Sequence, residues 1–381
     1  MILHFSCPDC GADMAYSIKL GKLYCQHCEH SEDIKPDPEQ WQNLGGQAMD
    51  QAWTDQFAGP EQSADQTQAA DQAQTADQTQ AADQTQAADQ AQAGGQPQVC
   101  PNCGSPIEAS SRACSIRCPY CDSSLILADR LQRSMRPAMI LPFRMDSEAA
   151  RQAFLKWCHK GRFAPRGFAG SKNLKKIRPV YVPYWLYDLD LDLSVSGIAT
   201  KVNIYVSGDT EYTETSFYSV ARQMQLDYRN VPHDASEKMD DTVMAKVQPY
   251  DFSQMKEFAI PYLAGFETDQ RDYADDELLP LVREQVGVYA STFARSTISG
   301  YSTVNIKQED SSFRKISAKY VYLPLWFISY PYQGKEYVFA MNGQTGKVIG
   351  TPPLSQLKTT GWFALISGII FAILLAGGLL L

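Results

Sequence analysis

Histidine is scarce in this sequence. Five stand among 381 residues, at His4, His27, His30, His159 and His233. They form no H-E-x-x-H pair and join no Ser/His/Asp order, which removes the common zinc-hydrolase and triad signatures. A phosphate loop is missing too. Gly343 and Gly346 invite that reading, but no G-x4-G-K-(S/T) is present. Two carboxylate clusters remain. Asp275-Asp276-Glu277 stands where a helix should begin, which dipole complementarity explains, and Met239-Asp240-Asp241 reads as solvated. No enzymatic constellation and no small-molecule substrate emerge, so a non-enzyme is expected.

Positive charge is in deficit. The 34 Lys and Arg against 43 Asp and Glu leave a net charge of −9, the wrong sign for a general nucleic-acid binder. No charged n-region or long apolar run precedes Cys7, so no secretion signal is expected and the chain reads as cytosolic. Aromatic residues, by contrast, are abundant: 20 Tyr, 16 Phe and 6 Trp, which favours a β-rich core.

Eight of the ten cysteines fall into two matching sets. Cys7, Cys10, Cys25 and Cys28 make one, and Cys100, Cys103, Cys118 and Cys121 the other. Both read C-x2-C-x14-C-x2-C. Two thiolates two residues apart bind one tetrahedral Zn²⁺ from a single tight turn, and two such turns facing each other make a zinc ribbon. Gly11 and Gly104 suit turn positions needing positive φ. Disulfides are the alternative, which a cytosolic chain disfavours. Two structural Zn²⁺ are expected. Each ribbon is too short to bury an adequate core, so metal must supply most of its folding free energy, ~10–16 kcal/mol in apparent terms. Cys114 and Cys158 are left over, the latter as a half-buried helix residue. His27 and His30 flank a complete ligand set and read as solvent-facing.

Along the chain, residues 1–34 are ribbon 1 and residues 35–98 a spacer. Within the spacer, Met49, Trp53 and Phe57 recur every four residues. They suit either a partner-binding motif or a short docked helix. From 61 onward an Asp/Gln/Ala hexad repeats with Asp65, Asp71, Asp77, Asp83 and Asp89 in phase. It has no large apolar residue per repeat, so disorder is expected, with an r.m.s. span of roughly 40–50 Å for 38–98. Ribbon 1 is then a loose arm, free to search for a partner. Residues 99–128 are ribbon 2.

The body, 138–355, reads as a tandem α+β repeat, about 138–230 and 255–350. Val180-Tyr181-Val182-Pro183-Tyr184-Trp185-Leu186 is matched by Val321-Tyr322-Leu323-Pro324-Leu325-Trp326-Phe327. Each follows a helical pattern, from Ser147 to about Lys160 and from Asp275 to about Thr297. Two antiparallel sheets, each covered by a helix, are expected. The prolines should put both strands at an edge or bulge. In the second helix Leu278, Leu279, Val282, Val286, Tyr289 and Phe293 form a core stripe. Met341 to Lys347 reads as a hairpin turn.

Residues 361–381 are uncharged and apolar, long enough at ~31 Å to cross a bilayer. They predict a transmembrane tail anchor with Trp362 at the headgroups, and a single-pass location in the cell membrane with the bulk of the chain cytoplasmic. The stretch 151–178 holds Arg151, Lys156, Lys160, Arg162, Arg166, Lys172, Lys175, Lys176 and Arg178 and no acid. It is a candidate lipid- or phosphate-binding surface, or a solvated loop.

The two ribbons, Val180 to Trp185, Lys238-Met239-Asp240-Asp241, Gln248-Pro249-Tyr250-Asp251-Phe252, Phe339 to Lys347 and the C-terminal span together resemble the bacterial TFIIB-type zinc-ribbon-containing membrane protein family, of unknown function. Relatives are often labelled primosomal replication-restart helicase, through their CPxC knuckles. No helicase core is recognisable here, and the long spacer departs from the family. The expected architecture is therefore multidomain: two small zinc ribbons, a duplicated α+β body with antiparallel sheets, and one C-terminal transmembrane helix. The expected function is a membrane-anchored, cytosol-facing scaffold binding an unidentified protein partner. The alternative is nucleic-acid binding by ribbon 2 with Arg130, Arg133 and the 151–178 run.

Overall fold

The computed structural model describes residues 2–36, 98–133, 135–160, 165, 177–332, 334–353 and 355–378. The spacer's helical triad and hexad repeat, and the disorder expected of them, lie outside these residues. Ribbon 1 comprises β1 (Ile2–Leu3), β2 (Met14–Ser17), β3 (Lys22–Cys25) and β4 (Ser31–Glu32). Ribbon 2 comprises β5 (Gln98–Val99), β6 (Pro106–Ile107), β7 (Ala113–Arg117) and β8 (Ser124–Leu127), and helix α1 (Ala128–Arg133) follows. The body begins with β9 (Met139–Ile140), α2 (Ser147–Lys160), β10 (Arg178–Ser207) and β11 (Thr210–Asp234). It continues through α3 (Asp241–Val247), β12 (Lys256–Glu257), β13 (Glu267–Asp269) and α4 (Asp275–Ser296). It ends with β14 (Thr303–Tyr332), β15 (Lys335–Asn342), β16 (Val348–Ile349) and α5 (Gln356–Gly378).

The expected pair of antiparallel sheets is corrected to one mixed sheet of 11 strands among the described residues. The reason is that the two proline-bearing strands pair with each other. Val182 lies opposite Leu323, Pro183 opposite Tyr322, and Tyr181 opposite Pro324. β13 joins β10 in parallel at Val180 and Tyr181. β9 joins β14 in parallel at Val321 and Tyr322. Each short strand thus lies beside the long strand of the other half of the body. Ribbon 2 belongs to the same sheet, because β7 pairs with β13 and β8 pairs with β1.

Burial of the central strands on both faces explains their near-continuous apolar run. Tyr181, Trp185, Tyr187, Tyr320, Tyr322 and Trp326 face a core under α2 and α4. Val182, Tyr184, Leu186, Val321, Leu323 and Leu325 face a second core under α3. The prolines are therefore not at a sheet edge. Pro183 O accepts from Ala235 N at 3.0 Å, and Pro324 O accepts from Gly343 N at 2.9 Å. In an extended residue the N–H and C=O point the same way, so each missing donor faces that side too. There the pairing with β13 stops at Tyr181, and the pairing with β11 is taken up from Tyr184, opposite that strand's last residue, Asp234. Likewise the pairing with β9 stops at Tyr322, and that with β15 is taken up from Leu325, opposite Asn342. Each proline sits in the gap between two successive neighbours, where no ladder bond is lost.

The hairpin turn after β15 clasps the segment following α3. Asn342 Nδ2 donates to Val247 O at 3.1 Å and to Pro249 O at 3.2 Å. The Gln344 amide both accepts from Asp251 N (2.7 Å) and donates to Asp251 O (2.9 Å). Asp240, read as solvated, caps α3 through Thr242 N and Val243 N. α4 buries Leu278, Val282, Val286, Ala290 and Ala294. Tyr289 and Phe293, expected inward, are half exposed. The small alanines, not the aromatics, occupy the row against the sheet. Cys158 is fully rather than half buried.

Beyond the core, β10, β11 and β14 run on as an arm. Three carboxylates down β10 each meet a cation on a neighbouring strand. Asp188 meets Lys319 (3.1 Å), Asp190 meets Arg229 (2.6 Å) and Asp192 meets Arg314 (2.9 Å).

Ribbon 1 is docked, which corrects its expected freedom. Besides the β1–β8 pairing, Tyr16 N donates to Ala264 O at 2.9 Å. Ser124 N donates to Asp13 Oδ2 at 3.0 Å. Burial of Tyr16 against Tyr262 and Phe266 supplies the apolar part of the contact.

The C-terminal anchor is also corrected: among the described residues no helix is long and apolar enough to cross a membrane. α5 opens on polar Gln356, Lys358, Thr359 and Thr360. The expected single-pass cell-membrane location is corrected with it.

Candidate metal centres

Four turns of one design build the two centres. In each, the residue after the second cysteine has positive φ: Gly11 at 73°, Glu29 at 65°, Gly104 at 73° and Asp122 at 64°. Its N–H donates to the carbonyl of the first cysteine of its turn (Cys7, Cys25, Cys100 or Cys118) at 2.8–3.0 Å. The N–H of that first cysteine donates in turn to the carbonyl of Ala12, His30, Ser105 or Ser123 at 2.7–2.9 Å. Sequence reasoning found the two glycines and missed Glu29 and Asp122. Their place, one residue after the second cysteine, was the available signal.

The turns bring each set of four sulfurs together, with every pair within 4.8 Å. Cys7 Sγ lies 3.4 Å from Cys28 Sγ, and Cys10 Sγ 3.5 Å from Cys25 Sγ. In ribbon 2, Cys100–Cys121 and Cys103–Cys118 are both 3.7 Å. Sulfurs bound at ~2.3 Å around a tetrahedral ion sit ~3.8 Å apart. None of these cysteines is in a disulfide. Hydrogen bonds favour the thiolate at Cys25 in ribbon 1 and at Cys103 and Cys121 in ribbon 2. The Cys28 backbone N–H holds Cys25 down to about 6, and the Ser123 hydroxyl holds Cys121 down to about 6. Burial pushes Cys100 up to about 11, so four thiolates need a cation among them. Asn102 Nδ2 ties the two turns of ribbon 2 together through Ser123 Oγ at 2.6 Å. Both tetrads can hold a metal ion, and four protein ligands leave no open position. Cys114 is buried outside its tetrad. His30 bonds Asp9 at 2.7 Å, whereas His27 is exposed.

YdjG of Bacillus subtilis (strain 168), an uncharacterized protein, is 40% identical over 368 residues, covering 97% of this chain and 95% of its own. The chain belongs to the YdjG family. No family model matches the chain, and no solved structure does.

Three side chains of the basic run are described. Arg151 and Lys156 are exposed on α2, and Arg178 pairs with Glu267 at 3.4 Å. The side chain of Lys160 and residues Arg162, Arg166, Lys172, Lys175 and Lys176 lie outside the description. A cleft of about 670 Å³ opens between ribbon 1, ribbon 2 and the start of α2.

Proposed function

We propose that the chain is a non-enzymatic protein-binding or scaffold module, with one structural Zn²⁺ in each tetrad. The observation that carries this reading is the closure of both centres by four thiols at the joint where the ribbons meet the body. A closed thiolate set suits Zn²⁺ and offers no coordination site to a substrate. Metal there orders the walls of the cleft. The likeness to TFIIB-type zinc-ribbon proteins is part of this reading, without the membrane anchor. Nucleic-acid binding is not adopted. Arg130 is engaged by the carbonyls of Ser110 and Ala113 within ribbon 2, and the side chain of Arg133 lies outside the described residues.

Elemental analysis of the purified full chain tests the metal. Two zinc per chain is the expected result, and fewer than one overturns the assignment. Affinity capture with the zinc-loaded chain, against the metal-stripped chain, tests the binding role. Partners retained only by the loaded form are expected. Identical capture by both forms overturns the role of the ribbons.

A further inference from the structure

The cleft between the ribbons and the body carries a more specific inference, which rests on the reading above. Its volume, about 670 Å³, lies within the range of ligand sites. Tyr16, Phe266 and Trp326 contribute aromatic surface to its floor. Its charged lining is Asp13, Asp122, Asp146 and Glu148 against Lys19 and Arg117. Arg117 is held by Asp122 within ribbon 2. Lys19 reaches from ribbon 1 to Asp146, at the start of α2, at 3.3 Å. Asp13 and Glu148 have no cation bonded to them, so the cleft is acidic by two charges. Asp13 adds a half-satisfied carboxylate, since Oδ2 accepts from Ser124 N while Oδ1 is buried without a partner.

Lys19 is the telling group. Its side chain is 78% exposed while its partner Asp146 is 27% exposed. An exposed lysine gains little from such a pair and is readily exchanged. Asp146 is fixed in place by Ala149 N, which donates to its Oδ1 at 2.9 Å and holds the carboxyl below the usual range. The protein's own ammonium group thus stands where a foreign cation would be received. The surrounding acids and aromatic rings suit a guanidinium or ammonium group on a short stem.

We infer that this cleft binds a partner's peptide segment through one Arg or Lys side chain, which displaces Lys19 from Asp146. The test uses the zinc-loaded full chain and a fluorescent nonapeptide of Gly and Ser with one central Arg, beside versions with central Glu or Ala. The Arg peptide should bind at least about tenfold tighter than the Glu peptide. Lys19→Ala should tighten it several-fold by freeing Asp146. Asp146→Asn combined with Glu148→Gln should weaken it by about tenfold. Asp209→Asn with Glu211→Gln, acids at the end of the β10–β11 hairpin, should leave it unchanged. Equal binding of Arg and Glu peptides, weaker binding by Lys19→Ala, equal loss in the hairpin variant, or no binding at about 1 mM each overturns the inference. If the peptide fails while zinc-dependent partner capture succeeds, the scaffold reading stands and this cleft is not its site.

Discussion

Tyr16 of the first ribbon sets its ring edge-on against Tyr262 of the body, centroids 5.2 Å apart and planes inclined by 64°. Such a pair adds ~0.5–1.5 kcal/mol to the burial of both rings. Tyr16→Ala should therefore undock ribbon 1 at a cost of about 3–5 kcal/mol. Metal content should stay at its wild-type value, because no ligand is touched. Hydrogen exchange over 2–36 is the measurement. Unchanged protection there would mean that the β1–β8 pairing alone holds the ribbon.

Metal removal should act beyond the ribbons. β8 pairs with β1, and β7 with β13, so each tetrad is joined to the main sheet through backbone ladders. Cys10→Ser or Cys103→Ser should release one metal and lower the melting temperature of the whole chain. Calorimetry reads this. A body transition unmoved by either substitution would show that the ribbons contribute nothing to its stability.

A buried acid gives a pH dependence of known sign. Burial pushes the Asp234 carboxyl up to about 8, with Asp241 nearby adding to the shift. Its unfolded value is about 3.9. Between the two, the folded chain holds a proton that the unfolded chain has lost, so stability falls as pH rises, by up to about 1.4 kcal/mol per unit. Below about 4 both forms are protonated, and above about 8 both are ionised, so the difference is then constant. Asp234→Asn should flatten the curve between those limits and leave the variant more stable than wild type above pH 8. Denaturant titrations across that range would expose a parallel pair of curves if the acid titrates normally.

Glu29 offers a stabilising change. It holds φ of 65°, where its counterparts Gly11 and Gly104 use glycine. The left-handed region costs a side chain ~1–2 kcal/mol. Glu29→Gly should therefore raise stability by up to about 1 kcal/mol with zinc affinity kept. Chelator competition and thermal melts check both parts.

These features differ in how far the sequence revealed them. The two cysteine tetrads, α2, α4 and the turn at Asn342 were legible because each depends on neighbours a few residues away. The union of the two V-Y-x-P-x-W strands was not, since Tyr181 and Pro324 meet only through tertiary register. The proline rule pointed to an edge because it counts missing donors without knowing that β13 and β11 both stop short of Pro183. Of the inward row of α4, Leu278, Val282 and Val286 were legible, but Tyr289 and Phe293 offer large rings beside the small Ala290 and Ala294, and ring size does not show which side the last turns present to the sheet. The docking of ribbon 1 depends on Tyr16, which local pattern gives no reason to single out. For α5 the apolar composition suggested a span, whereas no helix among the described residues is both long and apolar enough to make one.

The exchange of short strands between the halves of the body has a consequence for a severed chain. β9 completes the sheet beside β14, and β13 does so beside β10. A cut between α3 and β12 would leave each fragment missing the strand that shields its own central ladder. Neither piece would be self-sufficient, but the two would reassemble when mixed. The body is thus a mutual clasp, in which each half serves as the other's template.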